Sequence, residues 1–159
     1  MKKNEFIKLW CEALRSGEFK QGQRRLCQDN KYCCLGVACH LAEKHEVVDL
    51  VRTTTSIGTT TTTSIGTTTT TAWNGFGDYM PVKLREFLDL KTLGGTFYTS
   101  NGRAFSLDRL NDGIYEEDFT IPVHDGVVEY QAETPLSFED IARVIETYFL
   151  EKENANDEE

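Results

Sequence analysis

The sequence predicts an α+β fold, a single domain in which N- and C-terminal helices pack on antiparallel β-hairpins. Three observations carry this expectation. Apolar residues recur at helical spacing at both ends of the chain, and short alternating runs between them are separated by turn dipeptides. The 159-residue chain is 39% apolar and 11% aromatic, enough for one self-sufficient core. The expected domain spans 1–150, with a Thr-rich loop insertion at 53–71 and an acidic tail at 151–159.

Each element has a local reason. Phe6, Leu9, Trp10, Ala13 and Leu14 fall at i, i+3, i+4, i+7 and i+8, which predicts a helix over 5–16. Asn4 is its expected N-cap and Gly17 its C′ glycine. Arg25-Leu26-Cys27 and Tyr32-Cys33-Cys34-Leu35 read as strands turning at Asp29-Asn30, and Gly36 to about His45 as a second helix. Pro81 suits a helix N1 position, with Leu84, Phe87 and Leu88 as the buried stripe. Asn101-Gly102 and Asp125-Gly126 mark hairpins over 96–107 and 120–130, the first with a type I′ turn. Ser137 and Asp140 form an expected capping box ahead of Phe138, Ile141, Ala142, Ile145, Tyr148 and Phe149, predicting a helix over 138–150.

Thr53 to Thr71 stands apart. Thirteen of its nineteen residues are Thr, and Ser-Ile-Gly followed by five Thr occurs twice, at 56–63 and 64–71. Two such copies are too short for a solenoid. With no charge and little apolar bulk, the tract reads as an inserted loop, with a loose hairpin open to it because Thr favours extended backbone.

Composition narrows the function classes. No run approaches the roughly 18 apolar residues of a membrane helix, and the N-terminus lacks the unbroken apolar stretch of a signal peptide. The five cysteines, an odd number, suit free thiols in a reducing cytoplasm. The formal net charge is −9, yet residues 1–31 hold eight basic and four acidic side chains. A local cationic region in an acidic chain disfavours long nucleic acid and suits a small phosphorylated ligand.

Enzyme signatures are weak. Phosphate-loop, dinucleotide-fold, zinc-protease and nucleophile-elbow motifs are missing from the sequence. Cys27, Cys33, Cys34, Cys39, His40 and His45 lack metal-ligand spacing, so no metal and no cofactor are expected. Cys34, just before a predicted helix start, could be activated as a thiolate, but no histidine is placed to serve as its base. A binding site is the better reading. Arg15, Lys20, Arg24 and Arg25 surround Gly17 and Gly22 and would contact phosphate, with Gln21 adding an amide. Arg15 also lies where a cation complements the dipole of the first helix. Trp73 and Tyr79, in an aromatic, Gly-rich stretch, would stack on a base.

Ala13-Leu14-Arg15-Ser16-Gly17-Glu18-Phe19-Lys20-Gln21-Gly22 and Tyr32-Cys33-Cys34-Leu35-Gly36-Val37-Ala38-Cys39 resemble small uncharacterised proteins encoded by bacteriophages and prophages. The resemblance continues through Met80 to Phe87, Leu110-Asn111-Asp112 and Ser137 to Glu146, covering most of the chain except the Thr tract. It implies a phage-encoded accessory protein acting in the host cytoplasm, with no activity attached. By analogy with other small phage proteins, it would counter host defence by holding a nucleotide-derived ligand. Two alternatives stay open: an inhibitor that binds a host protein through its acidic surface, and a cysteine-dependent enzyme.

Overall fold

The computed structural model describes residues 1–60 and 65–150. Helix α1 (Lys3–Arg15) buries Phe6, Ile7, Trp10, Cys11 and Leu14, the face its 3.6-residue period dictates. Against it lies α5 (Phe138–Tyr148), which buries Phe138, Ile141, Ala142, Val144 and Ile145. The Cys11 Sγ donates across this seam to the Ala142 carbonyl at 3.7 Å. Lys2, not Asn4, is the N-cap of α1, and its backbone N–H reaches the Glu5 carboxylate at 3.4 Å. Gly17 does follow the helix in a left-handed conformation, φ +80°, as a C′ residue should. Ser137 caps α5 by accepting from the Asp140 N–H at 3.2 Å. The Asp140 carboxylate instead takes the Arg143 guanidinium at 3.2 Å.

Between the two helices run β1 (Lys20–Gln21), β2 (Cys27–Gln28), β3 (Lys31–Tyr32), α2 (Cys34–Lys44), β4 (Arg52–Thr60) and β5 (Ile65–Trp73). They form one sheet in the order β1-β3-β2-β5-β4, parallel at β1–β3 and antiparallel elsewhere. The β2–β3 turn uses Asp29 and Asn30, both left-handed at φ 52° and 62°, which their short polar side chains tolerate. The predicted second strand stops early: Cys33 is already the N-cap of α2 and Cys34 its first residue. Gly36 is required there, because a Cβ would sit 1.8 Å from the Leu26 carbonyl oxygen.

The described part of the Thr tract takes the extended form that its composition left open. It is a regular antiparallel ladder from Arg52↔Trp73 to Thr60↔Ile65. Thr54, Thr55 and Ser56 face Thr71, Thr70 and Thr69, pairs that suit β-branched side chains. The tract is tied to the body where β5 pairs with β2, Cys27↔Thr71 and Gln28↔Thr70.

Then come α3 (Val82–Phe87), β6 (Thr96–Tyr98), β7 (Ala104–Ser106), α4 (Leu107–Asp112), β8 (Phe119–Val123) and β9 (Gly126–Tyr130). Pro81 caps α3 from just outside it. The β6–β7 connection is not type I′. Gly102 has φ +83° while Asn101 has no positive φ, and the Gly102 N–H bonds the Thr99 carbonyl. One left-handed glycine after an ordinary turn closes a longer hairpin. Helix α4 was not anticipated from periodicity, since six residues are too few to show a period. Among the described residues no helix is long and apolar enough to cross a membrane. The expected tail at 151–159 lies outside the described residues.

Candidate functional site

The loop between β1 and β2, the loop before α3, and the β7–α4 corner enclose a cleft of about 1080 Å³. Three guanidinium side chains line it, Arg24 and Arg25 from the first loop and Arg109 from α4. Three carboxylates share the walls: Asp78 before α3, and Asp108 and Asp112, four apart on one face of α4. Arg25 pairs with Asp78 at 2.9 Å. The guanidiniums of Arg24 and Arg109 have no ion pair or hydrogen bond among the described residues.

Backbone geometry fixes this arrangement. Arg24 is left-handed at φ 71°, a conformation that costs a side-chain-bearing residue roughly 1–2 kcal/mol. Its N–H donates to Asp112 Oδ1 at 2.8 Å, and the Asn111 amide donates to the same oxygen at 3.0 Å. The Asp108 carboxylate accepts from the Arg109 N–H at 2.9 Å. It also rests against Gly94, where a Cβ would come within 2.7 Å of it. At the rim Tyr79 is half exposed. Deeper, the Tyr115 hydroxyl accepts from the Ser106 N–H at 3.0 Å. Ser106 lines the cleft at 9% exposure, and its Oγ has no hydrogen-bond partner among the described residues.

Asn111 holds the parts together. Fully buried, it accepts from the Cys34 N–H and the Gln21 amide, each at 3.1 Å. It donates to the Gly22 carbonyl at 2.8 Å and to Asp112. All four of its hydrogen-bonding positions are used, and they join the start of α2, the arginine loop and α4.

One family model, described as a domain of unknown function (DUF8296), matches residues 1–149. The chain belongs to that family. No curated protein and no solved structure matches. In this DUF8296 chain, the site is defined by the geometry of its own side chains.

That geometry brings together three of the seven residues expected to form the site, Arg24, Arg25 and Tyr79. Arg15 turns away onto α5, where it pairs with Glu139 at 3.4 Å and with Glu146. Gln21 spends its amide inside the protein, on Asn111 and on the Leu136 carbonyl at 2.7 Å. Lys20 is exposed on β1 and does not line the cleft. Trp73 is completely buried, its Nε1 donating to Glu43 at 3.4 Å, so it offers no face for stacking. The sequence reading missed Arg109, Ser106, Asp108 and Tyr115. Asp112 stands out in the sequence only within the Leu110-Asn111-Asp112 motif.

The thiols are equally instructive. Cys34 begins α2 as the activation argument requires, but it is fully buried and its Sγ donates to the Leu107 carbonyl at 3.7 Å. Burial drives its pKa well above the ordinary value. Cys33 lines the cleft, yet burial pushes it up to about 12, outweighing the nearby Gly36 and Leu35 N–H groups. A nucleophile must be a thiolate, a form that burial disfavours at both Cys33 and Cys34. No group of three or more metal-ligating side chains occurs among the described residues.

Proposed function

We propose that this chain is a binding protein for a small phosphorylated, nucleotide-derived ligand held in the Arg24–Arg25–Arg109 cleft. The observation that carries the reading is a pair of guanidiniums, Arg24 and Arg109, that line one space and have no partner among the described residues. Guanidinium forks match phosphate oxygens two at a time and remain charged at any physiological pH. The cleft volume, about 1080 Å³, is of the order that small-molecule sites occupy. Tyr79 takes the stacking role first given to Trp73, since its ring is half exposed. The motif resemblance extends the proposal: a phage-encoded accessory protein that holds such a ligand in the host cytoplasm and so counters host defence.

The test is calorimetric titration of the full chain with nucleoside monophosphates, beside analysis of the supernatant after heat denaturation for co-purified nucleotide. Hydrogen bonds to charged groups are worth roughly 1.5–3 kcal/mol each. An Arg24→Ala/Arg109→Ala double variant should therefore bind about 100-fold more weakly or worse, with an unchanged unfolding midpoint. If no nucleotide binds below about millimolar, or if the double variant binds as well as the parent, the reading fails.

A further inference from the structure

The cleft sets as many carboxylates as guanidiniums around one space, which is a poor design for phosphate alone. Asp78 is neutralised by Arg25 at 2.9 Å. Asp108 and Asp112 pair with no guanidinium among the described residues, although Arg24 and Arg109 line the same walls. An anion beside them would be repelled, so the anion must lie at the arginines while a different part of the ligand faces the carboxylates. What a carboxylate lacks is a donor. Asp112 Oδ1 already accepts from the Arg24 N–H and the Asn111 amide. Among the described residues Asp108 accepts only the Arg109 N–H, at 2.9 Å. A carboxylate has about four acceptor positions, so most of its capacity is unused. Gly94 holds it in place from one side.

The buried Ser106 hydroxyl is independent support. It lies on the same wall with no partner among the described residues. A buried polar group is ordinarily hydrogen-bonded, and a bound molecule would supply what the protein does not. The ligand therefore carries an anion, a flat ring for Tyr79, and donors for a carboxylate. Of the four common bases, guanine alone presents two parallel N–H donors on one edge, N1–H and N2–H, at the spacing of the two carboxylate oxygens. Adenine and cytosine present one exocyclic amine there, and uracil one imide N–H. We infer that the cleft is a guanine-nucleotide site, with Asp108 accepting from the N1–H/N2–H edge and the unpaired arginines holding the phosphate.

This inference rests on the phosphorylated-ligand reading, and the experiment separates the two. The full chain is titrated with GMP, IMP, AMP, CMP, UMP and ribose 5-phosphate. GMP should bind at least tenfold more tightly than the other five, IMP included, because IMP lacks only the 2-amino donor. Asp108→Asn should erase that preference while ribose 5-phosphate binds as well as before or better. If the nucleotides bind alike, or IMP matches GMP, the guanine assignment is overturned and the phosphate cleft survives. A soluble Asp108→Asn protein that keeps the preference also overturns it. If none of the six binds, the cleft reading itself has failed and the assignment falls with it. The comparison of GMP with IMP needs no variant, so it decides the matter even if Asp108→Asn does not fold.

Discussion

Two arginine-bearing regions of this molecule treat their charges in opposite ways. Around α5 the guanidiniums of Arg15 and Arg143 are both answered. Arg15 meets Glu139 and Glu146, Glu146 also meets His124 Nε2 at 2.8 Å, and Arg143 meets Asp125 and Asp140. In the cleft, Arg24 and Arg109 have no carboxylate partner among the described residues, although Asp108 and Asp112 stand on the same walls. Arg15 and Arg24 are only nine positions apart in the same basic stretch of sequence. Proximity in the chain therefore says little about whether a cation is structural or free for a ligand. What decides is the element beneath it: α1 turns Arg15 onto an acidic helix face, whereas a left-handed loop residue carries Arg24 into an open cleft.

The largest effect on stability should come from the residue that joins the cleft rather than from either set of charges. Asn111→Leu leaves the Cys34 N–H and the Gly22 carbonyl buried without partners, at roughly 1–3 kcal/mol for each unsatisfied group. A loss of about 2–4 kcal/mol in urea unfolding is expected. A change below about 0.5 kcal/mol would mean that the cleft does not depend on this hub.

A smaller effect is expected at the seam. The Arg15 hydrogen bond, with help from His124, holds the Glu146 carboxyl below its ordinary value. A depressed carboxylate stabilises the fold above its unfolded pKa, about 4.3, and that contribution is lost as pH falls through the folded value. Glu146→Gln should cost about 1 kcal/mol or less at pH 7, because the pair is partly exposed. The urea midpoints of parent and variant should converge in acid, once pH has fallen through the depressed value of the folded carboxyl. Midpoints that stay separated in acid would show that the loss is steric rather than ionic.

The smallest effect has the opposite sign. Arg24→Gly relieves a left-handed backbone worth roughly 1–2 kcal/mol, against roughly 0.5–1 kcal/mol of added chain entropy. The variant should be about 0.5 kcal/mol more stable than the parent while losing phosphate affinity. A destabilised Arg24→Gly would place the value of this side chain in the fold and break the contrast with Arg15.

The two terminal helices were legible because their apolar residues repeat with the period of the element that buries them. The Thr tract was legible only in part: its preference for extended backbone left a hairpin open, but where it joins the body depends on β2 supplying Cys27 and Gln28 from outside it. That same pairing lies behind the error at Trp73, whose position at the base of β5 puts the ring inside the core. Arg24, Arg25 and Tyr79 could be found as cations near glycine and an aromatic in a polar loop. Arg109 and Asp108 could not: they sit on a six-residue helix with no period to announce it, more than eighty positions from the arginines they join.

Gly36 carries a consequence beyond its own helix. The Leu26 carbonyl lies so close to it that even a methyl group would collide, and Leu26 directly follows the two cleft arginines. Backbone meets backbone at this point, as two planks are planed flush before gluing. The Cys-Cys-Leu-Gly run draws the eye to its sulfur atoms, yet its most demanding member is the one with no side chain at all. Alanine at 36 would lever the arginine loop away from α2 and respace the guanidiniums from a distance, without altering a single charged group.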